Sequence, residues 1–241
     1  MSGVVRLTRS GPVLSGSDGE LARLRAHFEE RHHLALPGFV DPALLDMLRA
    51  KLAATRFARI DREVGSELRP LDNTPYTALE LLLNSRALLN LIPRLTGCPP
   101  VACFTGRIYR RAPGESHVSH WHTDVNEDGR MVTLSINLSD RVYRGGTTLI
   151  REGATKRVVC ELPNTGFGDA ILFPIGPRFE HRVLDVEGDV PKTALAGWFN
   201  SKPDPRYLFA RGAGREATQT RRPHAHRTHR HHEPDEGAGD L

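Results

Sequence analysis

The sequence has little cysteine and no long apolar run. Its three cysteines, Cys98, Cys103 and Cys160, are too few and too irregularly spaced for a disulfide framework or a zinc knuckle. No apolar run approaches the roughly 20 residues that cross a bilayer, and the N-terminal segment lacks the apolar stretch of a secretory signal. We therefore expect a cytoplasmic protein in a reducing compartment, with no membrane partner.

An excess of charge of one sign is also missing. The chain has 33 basic and 29 acidic residues, a net charge of +4, and the two signs are interspersed. No basic helix face and no platform of aromatic and basic residues is present, so we expect no nucleic-acid partner. A small-molecule or peptidyl substrate fits this composition, and it leaves the oligomeric state open.

The length of 241 residues suits one domain with a tail. We expect an N-terminal extension over residues 1–17 and a single domain over 18–210. Within that domain, residues 18–100 form a helical lead-in and residues 101–200 form the core. The remaining residues, 211–241, are polar and cannot build a core, which predicts a disordered tail.

The lead-in shows helical periodicity with clear start signals. Ser17 or Asp18 is the expected N-cap of a helix over Asp18 to His33, and a short strand follows at 34–40. Asp41 before Pro42 predicts the start of a second helix. Residues 56–75 are polar and interrupted by Gly and Pro, which favours a loop. A further helical stretch covers about 76–96.

From residue 101 the sequence changes to short runs rich in β-branched and aromatic residues. Gly, Pro, Asn and Asp separate these runs, as is typical of strands joined by turns. The eight runs are VACFTGRIYR, SHVSHWHTD, MVTLSINL, GGTTLIRE, TKRVVCEL, GDAILFPI, HRVLDV and KTALAGWF. They predict a mainly β, α+β fold, namely a double-stranded β-helix (jelly roll) with the N-terminal helices packed outside.

The WHTD motif places a histidine and an aspartate two positions apart. Because side chains alternate along a strand, His122 and Asp124 would project to one face, about 6–7 Å apart. A second imidazole would complete the two-histidine, one-carboxylate set that leaves three positions of an octahedral iron(II) open. His-x-Asp alone is weak evidence, since it also arises by chance at surface strand ends.

His181 is the candidate for the second imidazole, because it is the only histidine between Asp124 and the tail. Taken alone, a buried, hydrogen-bonded core histidine is the better interpretation of this residue. The order of the surrounding motifs favours a ligand instead. That order is Tyr109, Pro113-Gly114, His122-Thr123-Asp124, the strand at 129–140, Gly145-Gly146-Thr147, Gly168-Asp169-Ala170, His181, Lys192 and Trp198.

In this order the region from Tyr109 to Trp198 resembles the prolyl-4-hydroxylase-like family of Fe(II)/2-oxoglutarate-dependent dioxygenases. The lead-in LPGFVDPALLDMLRAKL is also similar to the region before the core in such enzymes. The resemblance implies a metal bound by His122, Asp124 and His181. It also implies Fe(II), 2-oxoglutarate and O2 as cofactors, with ascorbate as an optional addition. The implied reaction is hydroxylation of an amino acid, a peptidyl residue or a small molecule, with release of succinate and CO2.

Lys192 matches the basic residue that anchors the C5 carboxylate of 2-oxoglutarate in this family. A buried carboxylate needs a cation and hydrogen-bond donors, and Tyr109 and Thr133 match positions that add hydroxyl donors. A solvent-facing strand lysine is the ordinary alternative. However, Lys192 shares a strand face with Ala194 and Ala196, whose small side chains would leave room for a ligand.

Two other functions fit parts of the sequence. A cupin-like metal enzyme that does not use 2-oxoglutarate would need the metal ligands but not Lys192 with Tyr109. A metal-binding protein built on the tail would use its five histidines, although an unstructured tail gives them no fixed geometry: His224, His226, His229, His231 and His232.

Three arginines in and directly after the first core run are candidates for contacts with the substrate. Arg107, Arg110 and Arg111 could favour an acidic group on the substrate, whereas strand arginines are more often solvated.

Overall fold

The structure is a computed structural model that describes residues 4–62, 65–114, 119–127 and 129–204. Within these ranges the helices are α1 (Asp18–Arg31), α2 (Pro42–Ala54), α3 (Thr74–Leu83) and α4 (Arg86–Thr96). None of these four helices is long and apolar enough to cross a membrane. The predicted tail at 211–241, with its five histidines, lies outside the described residues.

The described strands fall into an N-terminal group and a core group. The N-terminal group is β1 (Val5–Thr8), β2 (Gly11–Leu14), β3 (Leu34–Leu36), β4 (Phe57–Arg62) and β5 (Gly65–Pro70). The core group is β6 (Cys103–Arg111), β7 (Arg130–Asn137), β8 (Arg144–Gly145), β9 (Thr148–Glu152), β10 (Val158–Leu162), β11 (Ala170–Pro174), β12 (Phe179–Val183), β13 (Val186–Glu187) and β14 (Lys192–Asn200).

Two antiparallel sheets make up the core. The major sheet has seven strands in the order β3-β11-β7-β14-β6-β5-β4, and the minor sheet has the order β10-β9-β12. From β3 to β6 the neighbours in the major sheet are non-consecutive strands, as in a jelly roll, whereas β6, β5 and β4 pair in chain order. The predicted fold class, a mainly β jelly roll with N-terminal helices outside it, is confirmed.

The two faces of the major sheet differ in polarity. On β7, Val132, Leu134 and Ile136 belong to the large apolar cluster that contains the helices' buried leucines. The alternate residues on this strand, Thr133 and Ser135, point to the other face and line a cavity. Because side chains alternate along a strand, one strand supplies both the helix-facing core and the wall of the cavity.

The helix starts follow the sequence signals. Ser17 caps α1 in a capping box, since its side chain accepts from Glu20 N while Glu20 reaches back to the Ser17 backbone. Asp41 caps α2, with Leu44 N donating to its Oδ1 at 2.8 Å. The sequence pattern predicts no helix or strand before Ser17, yet residues 4–16 include the β1–β2 hairpin, whose Val5 and Leu7 are buried in the core.

The loop expected at 56–75 is wrong, because this segment contains the β4–β5 hairpin at the edge of the major sheet. Its buried positions include Ser66 and Glu67, which are polar. A strand with buried polar residues lacks the apolar alternation that sequence patterns detect.

Two further expectations need correction. The SHVSHWHTD run is not a regular strand: in its described part the one pairing is an isolated bridge between His122 and His181. The helical stretch at 76–96 is interrupted between α3 and α4. There Asn84 leaves the helix to hydrogen-bond both the N–H and the carbonyl of Phe104, at 2.8 and 2.9 Å.

Gly197 of β14 offers a test of packing beneath the helices. A β-carbon at Gly197 would lie 2.8 Å from Gly106 Cα and still closer to the Phe104 ring. We expect Gly197→Ala to lower the free energy of unfolding by about 1–3 kcal/mol, because overpacking forces neighbours to shift. Urea denaturation measures the change. Gly176→Ala is the control, since its β-carbon meets nothing within 4 Å, and equal stabilities for both variants would contradict the prediction.

Candidate metal centre

Two separate segments bring the three predicted ligands together. His181 lies on β12, while His122 and Asp124 lie in the extended segment before β7. His122 N donates to His181 O at 3.1 Å, and His181 N donates to His122 O at 2.9 Å. This pair of backbone hydrogen bonds sets the two imidazole rings 4.4 Å apart.

The ligand atoms of His122, Asp124 and His181 all lie within 4.8 Å of one another. His181 Nε2 lies 3.2 Å from Asp124 Oδ2, and His122 Nε2 lies 3.7 Å from Asp124 Oδ1. Within the described part of the chain, no other group of three such side chains is close enough to hold a metal ion. Two imidazoles and one carboxylate are the donor set that suits non-haem iron(II).

Neighbouring groups fix the orientation of the ligands. His122 Nδ1 lies 2.8 Å from the His120 carbonyl, so this nitrogen carries the proton and Nε2 keeps its lone pair for a metal. The indole N–H of Trp198 donates to Asp124 Oδ2 at 2.7 Å. Arg130 lies 3.8 Å from the other Asp124 oxygen and stacks on the Trp198 ring.

The charge states at the site also suit a metal. Burial, together with the nearby His181, lowers the pKa of His122, which favours the neutral ring that binds metals. Burial by itself would raise the pKa of Asp124. The contacts with His181 and the Trp198 hydrogen bond outweigh burial and hold that pKa well below its ordinary value. The aspartate is therefore a carboxylate at neutral pH.

A cavity of about 300 Å³ opens onto the three ligands. Its more buried walls carry Tyr109, Arg111, Ser135 and Thr148, whereas Val125 is more than half exposed. The cavity thus has an inner part inside the barrel and an outer part toward solvent.

Two hydroxyls in the wall of this cavity have no hydrogen-bond partner among the residues that the structure describes. Thr133 Oγ1 is buried without a hydrogen-bond partner, and the Tyr109 hydroxyl makes no hydrogen bond within the described ranges. Buried polar atoms are nearly always satisfied. The cavity therefore suits a ligand with oxygen atoms, such as a carboxylate.

Lys192 is buried on the cavity-facing side of β14, but it is not among the residues that line the cavity. Its ammonium donates to the Gly146 carbonyl at 2.6 Å. Its partner across the sheet is Arg111, whereas Thr133 pairs with Trp198, six residues along β14. The register therefore separates Lys192 from Thr133 along the sheet.

The structure separates the three arginines of β6. Arg107 and Arg111 line the cavity, whereas Arg110 lies on the other face, over the Phe57 ring. Glu67 also lines the cavity, and sequence reasoning misses it because the composition of its segment favours a loop. The alternation of β6 was the available signal for the arginines, since Arg107, Tyr109 and Arg111 occupy alternate positions.

The sequence matches the family model described as the 2OG-Fe(II) oxygenase superfamily over residues 107–200. That range includes all three metal-ligand candidates and the cavity-facing strands. Over these residues the chain is therefore similar to the 2OG-Fe(II) oxygenases. Enzymes of this family need Fe(II), 2-oxoglutarate and O2, so the chain is an oxidoreductase that depends on iron(II) and 2-oxoglutarate.

Solved structures agree on the fold of this oxygenase. A 2OG-Fe(II) oxygenase family oxidoreductase from Burkholderia pseudomallei has 19% identity and a TM-score of 0.54, over 83% of this chain and 99% of that one. A Pseudomonas putida prolyl-4-hydroxylase has 18% identity and a TM-score of 0.55, over 75% and 98%.

The epimerase SnoN, solved with Fe3+, alpha ketoglutarate and nogalamycin RO, has 18% identity and a TM-score of 0.53, over 76% of this chain and 84% of that one. A search of the curated proteins gives no match.

Alanine at His122, Asp124 or His181 tests the metal centre of this oxygenase. We expect each variant to lose iron(II) affinity by more than about 100-fold, because even an outer hydrogen-bond partner of a ligand typically contributes about 10–100-fold. Anaerobic titration calorimetry measures the affinity, and circular dichroism should show an unchanged fold. His120→Ala is the control, since that side chain is exposed. Unchanged iron affinity in all three variants would refute the assignment.

Proposed function

We propose that this oxygenase hydroxylates a C–H bond of an amino acid, a peptidyl residue or a small molecule, with iron(II) on His122, Asp124 and His181. The convergence of these three side chains at a cavity, inside the segment that matches the family, carries the proposal. The alternative function, a cupin-like metal enzyme that does not use 2-oxoglutarate, would not account for the match to the oxygenase family.

Iron(II) supplies the oxidising chemistry when bound with 2-oxoglutarate and O2: one oxygen atom enters the substrate C–H bond, and the other enters succinate as CO2 is released. The protein's own residues set the geometry. Trp198 holds Asp124, and the His122–His181 backbone pairing holds the two imidazoles. The buried walls around Tyr109 and Ser135 exclude water from the inner cavity.

The inner cavity is the proposed seat of 2-oxoglutarate. Tyr109 and Thr133 offer hydroxyls that bind no other described residue, as donors to its oxygens. Lys192 is the proposed cation for the C5 carboxylate. No carboxylate within the described ranges pairs with this ammonium, which donates to the Gly146 carbonyl and lies over the Tyr143 ring. A buried cation of this kind gains more from an anion than a solvated one does.

We also propose a cytoplasmic location, because Cys98, Cys103 and Cys160 are free thiols, as is usual in reducing compartments.

Turnover of 2-oxoglutarate tests the proposed function. We expect the iron-loaded protein to form succinate and consume O2 only when 2-oxoglutarate is present, and a true substrate to increase both rates and gain one oxygen atom. Mass spectrometry with 18O2 measures that oxygen. The His122→Ala variant is the matched blank. Succinate formation that is equal in this variant and the wild type would contradict the proposal.

The Lys192→Ala variant distinguishes the binding of 2-oxoglutarate from the binding of iron(II). Truncating one partner of a buried charged pair costs about 2–5 kcal/mol. The dissociation constant of 2-oxoglutarate should therefore rise by roughly 30-fold to several thousandfold, while iron(II) affinity barely changes. Pyruvate, which lacks the C5 carboxylate, should bind both proteins equally. Calorimetry measures the affinities for 2-oxoglutarate, iron(II) and pyruvate. Equal 2-oxoglutarate affinities in the wild type and Lys192→Ala would show that Lys192 does not bind the cosubstrate.

The same lysine predicts a pH dependence. Burial, with the charge of Arg111 adding to it, lowers the pKa of Lys192 to about 7. Only the charged ammonium attracts the carboxylate, so 2-oxoglutarate affinity should be highest below pH 7. Above that pH it should fall by up to about tenfold per pH unit. Lys192→Arg should remove this dependence, because arginine stays charged. A wild-type affinity that is flat from pH 6 to 9 would contradict the prediction.

A further inference from the structure

One wall of the cavity comes from the β4–β5 hairpin and from β6, which supply none of the three metal ligands. Gly65, Ser66 and Glu67 of β5 form one wall, and Arg107 of β6 lies beside them. Arg107 faces Ala196 across the sheet, where a small side chain leaves space. None of these residues is a metal ligand, and none is among the groups proposed above to bind 2-oxoglutarate.

Arg107 is held in a fixed position. Its Nε donates to Glu67 Oε1 at 2.7 Å, and Arg69 donates to the same oxygen at 2.8 Å. The guanidinium also lies 5.3 Å from the centre of the Trp198 ring and 6.0 Å from that of Tyr109. Burial alone would lower the pKa of Arg107, but the Glu67 contact outweighs it and raises that pKa, so the group stays charged.

The two terminal nitrogens of Arg107 make no hydrogen bond to any residue that the structure describes. A guanidinium whose Nε is already bound still offers a planar pair of N–H donors, which matches the two oxygens of a carboxylate. Trp198 contacts this guanidinium and also donates to Asp124, so the free donors lie close to the metal centre.

The charge of this region favours an anion. Glu67 is shared between the guanidinium groups of Arg69 and Arg107, and Arg111 and Arg130 are the other two cations that line the cavity. The volume of about 300 Å³ lies at the low end of the range for small-molecule sites, and the cosubstrate must share it. The part of a substrate that enters is therefore small.

We infer that Arg107 binds a carboxylate of the substrate, and that the substrates are small carboxylic acids oxidised a few atoms from that group. This inference rests on the proposed function. Glu67 acts as a positioning residue that keeps the guanidinium against Trp198.

Matched pairs of acids and amides test the inference. The iron-loaded protein with 2-oxoglutarate is given free L-amino acids and short aliphatic and aromatic acids, each beside its primary amide. We expect at least one acid to stimulate succinate formation while its amide does not. In an anaerobic arm without turnover, the same acid should raise the thermal unfolding midpoint of the protein, and its amide should not.

Variants of the β6 arginines localise the effect. Arg107→Gln should raise the KM of the acid by about 30-fold or more, and Arg107→Lys should have a smaller effect because it keeps the charge without the fork. Arg110→Gln is the matched control, since Arg110 lies on the opposite face of the same strand. Its KM should stay within about twofold of the wild type, as expected for a residue away from the site.

The outcomes separate this inference from the proposed function. If the wild type turns over 2-oxoglutarate but acids and amides act alike throughout the set, the inference is overturned and the proposed function stands. Equal effects of Arg107→Gln and Arg110→Gln also overturn it. If the wild type does not turn over 2-oxoglutarate at all, the proposed function fails, and the thermal arm still decides whether Arg107 binds the carboxylate.

Discussion

The alternation of side chains along β6, β7 and β14 is the constraint on which the rest of the structure depends. On one face, residues such as Leu134, Ile136 and Leu195 pack under the helices. On the other face, Thr133, Ser135 and Trp198 line the cavity. A shift of register by one residue would exchange these faces. It would bury the hydroxyls among leucines and turn the apolar side chains toward the ligands.

The metal centre adds a second, more local constraint. Its three side chains come from two segments that are far apart in sequence, and an isolated backbone bridge between His122 and His181 joins them. The Trp198 hydrogen bond then ties Asp124 to the major sheet. The ligand set is therefore stabilised by both sheets at once. A change in the packing of the two sheets would move His181 relative to Asp124 and so alter the geometry available to a metal.

Much of this architecture could be predicted from the sequence, because apolar alternation and capping residues act locally. The β7 and β14 strands and the starts of α1 and α2 follow from such signals. The β4–β5 hairpin does not, since the burial of Glu67 depends on arginines from its own hairpin and from β6. The ligands could be named from the order of motifs, although His122 lies at a bridge and not in a regular strand. The position of Lys192 relative to Thr133 needed the strand register.

The interior of the barrel contains hydrogen-bond donors that the described protein groups do not fully satisfy. Lys192 has a carbonyl as its hydrogen-bond acceptor in place of a carboxylate, and the hydroxyl of Thr133 has no partner in the part of the chain that the structure describes. Burying such groups costs free energy, which the apolar cluster under the helices must offset. Anionic ligands recover part of that cost when they bind. A site built in this way is less stable when empty, and ligands that satisfy its donors therefore stabilise the folded barrel as well as occupy it.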